Sequence, residues 1–170
     1  ILKARQMKPD AIIACMHWGI EYRSLPAKAD KQLADWLLSQ GVDHIIGSHP
    51  HVLQPMEVRP DLHTPDRHLV VYSLGNFISN MSKEKTDGGA MVKLELKKMG
   101  DITRMDTCQY TLVWTSRPIL SKKSNYEVYP ASHIHKPLKD EELIPMKRFL
   151  NQSRSLFGKH NIGIKEYLFE

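Results

Sequence analysis

No apolar run in this sequence approaches the length of a membrane span, so no transmembrane segment is expected in it. Cysteine is scarce. Two residues, Cys15 and Cys108, make no disulfide framework, and Cys15 inside an apolar run reads as a small core residue. Basic blocks are missing too. The formal net charge is +5, but Lys and Arg are scattered among acids, so no nucleic-acid stripe is present and nucleic acid is not an expected partner. Such a mixed surface still tolerates an anionic partner. The sequence lacks a nucleophile elbow, a phosphate loop and a dinucleotide fingerprint, and it shows no internal repeat or low-complexity tract. It has no signal-peptide pattern. It opens on Ile1 rather than Met, with residues 1–7 reading as the end of a helix, so it reads as one piece of a longer protein.

What remains is an ordinary globular composition. Of 170 residues, 41% are hydrophobic and 25% charged, which suits a single domain over 1–170 with a real core. Residues 1–8 form a short helical stretch ended near Pro9. Residues 11–16 are continuously apolar and predict a strand buried on both faces. A loop over 17–26 precedes a helix over 27–40, with Ala29, Leu33, Trp36 and Leu37 on its apolar face and Gly41 as its stop. Residues 42–46 make the next buried strand. Strand, helix, strand in this order predicts a βαβ unit with a right-handed crossover.

Further strands are expected over 53–58 and 69–74, separated by a proline-bearing loop over 60–67 and followed by a turn at Gly75-Asn76-Phe77. Residues 79–89 are polar. From 91 to 97 apolar and charged residues alternate, the mark of a half-exposed strand in an antiparallel sheet. Gly100-Asp101 is a hairpin turn, 102–113 the return strand, and 115–134 irregular. Asp140 is the expected cap of a C-terminal docking helix over 141–157, with Leu143, Met146, Leu150 and Leu156 among its apolar positions and Gly158 as its stop. The tail Tyr167-Leu168-Phe169 needs a surface to dock on. The fold class is therefore mixed α/β, a βαβ half followed by an antiparallel half.

Two short stretches carry the chemistry: Met16-His17-Trp18-Gly19-Ile20-Glu21-Tyr22 and Gly47-Ser48-His49-Pro50-His51-Val52. Each follows an apolar strand, where α/β proteins build their sites. In His49-Pro50-His51 both rings could reach one ion, or one ring could bind substrate, with Pro50 limiting the entropy lost in ordering the pair. The parallel strands of a βαβ unit bring His17 to the same edge. Glu21 could act as a base, orient an imidazole, or simply pair with Arg23 or solvent. Trp18 and Tyr22 could wall the site or serve as core and rim aromatics. Ser73 and Asn76 end the third apolar strand and either join this rim or, for Asn76, make an Asx turn. His133-Ile134-His135 repeats the H-x-H spacing without a preceding strand and reads as surface. His44, His63, His68 and His160 lack a companion motif.

These motifs resemble the CapA family of bacterial capsule-synthesis proteins of the poly-γ-glutamate type. The resemblance runs over about residues 10–97. It is carried by His17-Trp18-Gly19-x-Glu21-Tyr22, then Gly41-Val42-Asp43-x-Ile45-Ile46-Gly47-x-His49-Pro50-His51-Val52-x-Gln54-Pro55-x-Glu57, then Tyr72-Ser73-Leu74-Gly75-Asn76-Phe77. That family is similar to the calcineurin-like metallophosphoesterases. The resemblance implies part of a four-layer αββα sandwich and a site for divalent metal ions, with His17, His49 and His51 as ligands. Glu21 and His49 are then the catalytic candidates, and Trp18, Tyr22, Ser73 and Asn76 the substrate-binding ones.

The family's early Gly-Asp and Asn-bearing motifs have no counterpart in this sequence, so the chain is expected to be the C-terminal part of a CapA-like domain with an incomplete site. Two functions follow as expectations. One is a metal-dependent hydrolase or transferase when intact, acting on capsule polymer or a phosphorylated precursor, with the isolated chain inactive. The other is a non-catalytic module that binds an anionic capsule polymer or an export partner. Either implies other capsule-synthesis proteins as partners and a place in the cell envelope, extracytoplasmic or membrane-associated.

Overall fold

A computed structural model describes residues 1–132 and 137–168. His133 and His135, the expected surface pair, and Phe169 lie outside the described residues. The chain begins with helix α1 (Leu2–Gln6), then strand β1 (Ile13–His17), helix α2 (Lys28–Ser39) and strand β2 (His44–Ser48). β1 and β2 are parallel, with Ile13 opposite His44 and His17 opposite Ser48. The predicted βαβ unit is therefore present. Next come strands β3 (Leu53–Pro60) and β4 (Arg67–Leu74), an antiparallel pair, and β4 lies parallel to β2. The first sheet has the order β1-β2-β4-β3.

The second sheet starts with β5 (Gly88–Met99) and β6 (Ile102–Ser116), paired antiparallel around Gly100 and Asp101. Gly100 has φ +60°, the left-handed turn conformation glycine accepts at no steric cost. The sheet is completed by β7 (Glu127–Pro130), antiparallel to β6, and β8 (Lys165–Glu166), parallel to it. Helix α3 (Pro118–Ser121) precedes β7, and helix α4 (Asp140–His160) precedes β8.

Alternate residues of β4 explain how the layers stack. Leu69 and Val71 join Met56, Leu112, Trp114, Met146 and Phe149 in one apolar cluster, so this face meets the second sheet and α4. Val70 and Tyr72 point the other way, into a cluster with Ala34 and Leu37 of α2 and with Trp18. The result is a partial α/β sandwich of two sheets, with α2 outside the first and α4 packed on both β3 and β6.

Five local expectations are corrected. β1 is an edge strand rather than one buried on both faces: among the described residues it pairs with β2 alone, Ile13 is 45% exposed, and Cys15, expected in the core, is exposed too. In α2 the buried positions are Ala34 and Leu37, while Ala29, Leu33 and Trp36 face outward, with Trp36 at 52% exposure. Ala34 has no exposed surface, and its small side chain lets the helix sit close to the sheet. The N-cap of α4 is Lys139, not Asp140. Its backbone N–H donates to the Glu142 carboxylate at 3.3 Å. Gly158 does not stop α4. The helix runs two residues further, to His160, and is capped at Asn161, whose side chain accepts the Met56 N–H at 2.9 Å, while Ile162 exchanges backbone bonds with Met56 and Val58. Finally, 115–134 is not irregular throughout: β6 extends to Ser116, and α3 and β7 follow. Of the tail, Tyr167 is tied down, its N–H donating to the Tyr110 carbonyl beyond β8, while Leu168 is exposed.

Candidate metal centre at the strand ends

Because β1, β2 and β4 run parallel, their carboxyl ends share one edge of the sheet. The two histidine stretches leave that edge side by side and are stapled together. The Trp18 N–H donates to the Ser48 carbonyl at 3.1 Å, and the Tyr22 N–H to the Pro50 carbonyl at 2.8 Å. Close approach depends on Gly47. A Cβ there would lie 2.2 Å from the Tyr72 carbonyl oxygen and 2.4 Å from Trp18 Nε1. The missing side chain lets the indole cross β2 and donate to that carbonyl at 2.8 Å.

Tyr22, His49 and His51 have φ of +64°, +103° and +60°, although none is glycine. Such backbone costs of order 1–3 kcal/mol per residue and gathers at functional sites. Here three strained residues surround one spot.

At that spot Glu21, His49 and His51 each offer a ligand atom, and the three atoms lie within 4.8 Å of one another. His51 Nε2 stands 4.0 Å from Glu21 Oε1. Two imidazoles and a carboxylate are a donor set shared by zinc, iron(II) and manganese sites, and three protein ligands leave a position open for water or substrate. An ion bound at about 2.1 Å by each donor would draw them to roughly 3.3 Å apart, a contraction within reach of side-chain rotation. The residues present therefore fit one divalent ion.

The expected residues are distributed differently from the motif pattern. His17, expected as a ligand, falls outside the three-donor group. Its ring stands 4.4 Å from that of His49, centroid to centroid, and is exposed to solvent. Glu21 makes no ion pair with Arg23 among the described residues, and its neighbour is His51. Tyr22 sits at the rim, 6.2 Å from the His51 ring, with the Lys83 ammonium 3.6 Å from its own ring centroid.

Trp18 and Ser73, expected to bind substrate, are both buried. Trp18 is 7% exposed and belongs to the core under α2, and Ser73 has no exposed surface. Asn76 reaches the site through His51, whose Nδ1 lies 3.2 Å from Asn76 Oδ1.

Sequence reasoning missed Lys83 and Thr86. Both lie in the polar loop before β5, where no motif or periodicity singles them out. Of the histidines set aside, His44 is buried and accepts the Leu69 N–H at Nδ1, 3.0 Å away. Burial holds its imidazole pKa below the ordinary value, against the opposing charge of Asp43. His68 bridges the Asp43 carbonyl and the Asp61 carboxylate.

Comparison with known proteins agrees with the motif reading. Residues 1–81 match the model of the family described as bacterial capsule synthesis protein PGA_cap. The chain is similar to the PGA biosynthesis protein CapA of Bacillus subtilis (strain 168), at 34% identity over 119 residues, 68% of this chain and 30% of that protein. It is also similar to the capsule biosynthesis protein CapA of Bacillus anthracis, at 34% identity over 103 residues, 59% of this chain and 24% of that protein. The matched segment thus spans less than a third of the length of either relative. No solved structure matches.

Proposed function

We infer that this chain, which belongs to the CapA family of bacterial capsule-synthesis proteins, is the part of a capsule-biosynthesis protein that carries a metallophosphatase-like site. The observation that carries the reading is the convergence of the Glu21, His49 and His51 donor atoms within 4.8 Å at the ends of parallel strands. In the whole protein this site serves a metal-dependent hydrolase or transferase acting on capsule polymer or a phosphorylated precursor. Its setting is the cell envelope, alongside other capsule-synthesis proteins. No helix among the described residues is long and apolar enough to cross a membrane.

Glu21, His49 and His51 would hold the ion. When bound, a divalent ion supplies Lewis-acid polarisation of the scissile group and a water acidic enough to attack at neutral pH. His17 stands beside His49 outside the donor set and is free to give a proton to the leaving group. Tyr22 and Lys83 form an aromatic and cationic rim on which an anionic substrate can rest. The backbone staples at Ser48 and Pro50 hold these groups in register, so little ordering remains when substrate binds.

The test has two arms. Calorimetry of this chain with Mn²⁺ or Zn²⁺ should show one ion bound and lost in His49→Ala. The fully metallated full-length protein should turn over a phosphoester or γ-glutamyl substrate. Absence of turnover with every divalent ion tried would remove the enzymatic reading. The net charge of +5 and the Lys83 rim favour a second reading, a module that holds an anionic polymer without chemistry. Salt-sensitive binding of poly-γ-glutamate that survives His17→Ala and His49→Ala would support it.

A further inference from the structure

We propose that Asn76 is a positioning residue that fixes the tautomer and orientation of His51, so that Nε2 is the atom offered to the ion. The proposal rests on the metal-site reading above and gives Asn76 a role other than substrate contact.

Asn76 Nδ2 donates to the Thr86 carbonyl at 2.9 Å and reaches Met81 Sδ at 3.6 Å. Turning the amide over would set Oδ1 against the Thr86 carbonyl oxygen, two acceptors with no proton between them. Oδ1 must therefore face His51, where it lies 3.2 Å from Nδ1. An amide oxygen only accepts, so Nδ1 carries the proton. In a neutral imidazole that leaves Nε2 with the lone pair. Nε2 is the nitrogen that stands 4.0 Å from Glu21 Oε1.

Asn76 is itself held by main chain on the far side. Its N–H donates to the Gly88 carbonyl at 3.1 Å, and Gly75 bridges to Gly89. Gly89 is needed at that junction, because a Cβ there would lie 2.6 Å from the carbonyl oxygens of both Leu74 and Asn76. Thr86 is fully buried and its hydroxyl donates to the Lys83 carbonyl at 2.6 Å, so the acceptor for the Asn76 amide is fixed as well. The start of the second sheet thus serves as a backing plate for a histidine on the first. Both ends of the Asn76 amide are engaged within the protein, which leaves it little to offer a substrate. An outer hydrogen bond of this kind sets ligand orientation, and its loss costs about 10–100-fold in metal affinity.

The test uses ¹⁵N-labelled metal-free protein at one fixed pH where the histidines are neutral. In the unsubstituted protein the His51 ring should show a protonated Nδ1 and a lone-pair Nε2. In Asn76→Ala the pattern should become the tautomer mixture of an unconstrained imidazole. Asn76→Asp keeps an acceptor for Nδ1 but gives up the bond to the Thr86 carbonyl, so it should show the first pattern at a lower Tm. Affinity for Zn²⁺ should fall about 10–100-fold in Asn76→Ala and return in Asn76→Asp. A protonated Nε2 in the unsubstituted protein, or an unchanged ring in Asn76→Ala, overturns the proposal. If the tautomer responds as stated while no variant binds an ion, the positioning role stands and the metal-site reading fails instead. Should Asn76→Ala not fold, the comparison of the unsubstituted protein with Asn76→Asp decides, since a merely structural amide would not preserve the Nδ1 proton on replacement by a carboxylate.

Discussion

Trp18 sits within the motif that marks the site, yet its contacts belong to the core, and Trp18→Phe separates the two roles. The β2–β4 ladder register runs to Ile46 opposite Val71. One step further along β4, the indole N–H donates to the Tyr72 carbonyl at 2.8 Å and continues the pattern with a side chain. Phenylalanine keeps an aromatic ring against Ala34, Leu37 and Val70 but leaves that carbonyl without its donor. A buried acceptor deprived of its partner costs about 1–3 kcal/mol. The smaller ring leaves a void worth about 1 kcal/mol more. The sum, about 2–4 kcal/mol, corresponds in a chain of this size to a fall in Tm of roughly 4–16 °C. Thermal unfolding followed by circular dichroism measures it, with Zn²⁺ calorimetry on the folded variant alongside. Unchanged Tm together with weakened binding of polymer or precursor would refute the reasoning and return Trp18 to the wall of the site.

Other outcomes follow from the same contacts. Glu21→Gln, which keeps size and removes charge, should weaken Zn²⁺ or Mn²⁺ binding at least about tenfold by calorimetry, whereas His17→Ala should change it by less than about threefold. Gly47→Ala drives a methyl group onto the Tyr72 carbonyl and the indole nitrogen, and should lower stability by about 3 kcal/mol or more in urea unfolding. For His44, burial lowers the folded pKa below 6.5, so the unfolded chain binds more protons as the medium acidifies. Stability should be full above 6.5 and decline as the pH falls from 6.5 toward the folded value. His44→Asn, which can still accept the Leu69 N–H, should flatten that decline in urea midpoints compared between about pH 5 and about pH 8.

The βαβ unit was legible because its signals are local. Two apolar runs, a helix between them and a glycine at the helix end need no knowledge of the rest of the chain, and Gly41 does adopt φ +83°. The facing of α2 was not legible. Ala29, Leu33 and Trp36 form as regular a stripe as Ala34, Leu37 and Leu38, and only the sheet decides which of two neighbouring stripes it will cover. The same holds for β7. Four residues ending in Pro130 carry no strand pattern of their own, and they become a strand by pairing with the end of β6. Gly158 misled because glycine ends a helix only where a left-handed residue is wanted. The actual end is set by Asn161 bonding to Met56, a contact 105 residues apart in sequence. At the site, the strand ends announced His17, His49 and His51. That Glu21 rather than His17 joins the donor group depends on how the loop folds back over Pro50, which spacing alone does not reveal.

The strain at the rim explains why the site draws on both sheets. Left-handed backbone at Tyr22, His49 and His51 would relax if the loops were free, at a gain of order 1–3 kcal/mol per residue. It persists because independent restraints hold it. Backbone bonds to Ser48 and Pro50 tie the loops to each other, and Asn76 ties His51 to the second sheet through Thr86 and Gly88. A loop held only by its own sheet would carry the first restraint and lack the second. The Gly75–Gly89 bridge, where β4 ends and β5 begins, is therefore where folding and function meet. It closes the core between the sheets and fixes the direction of an imidazole at their edge.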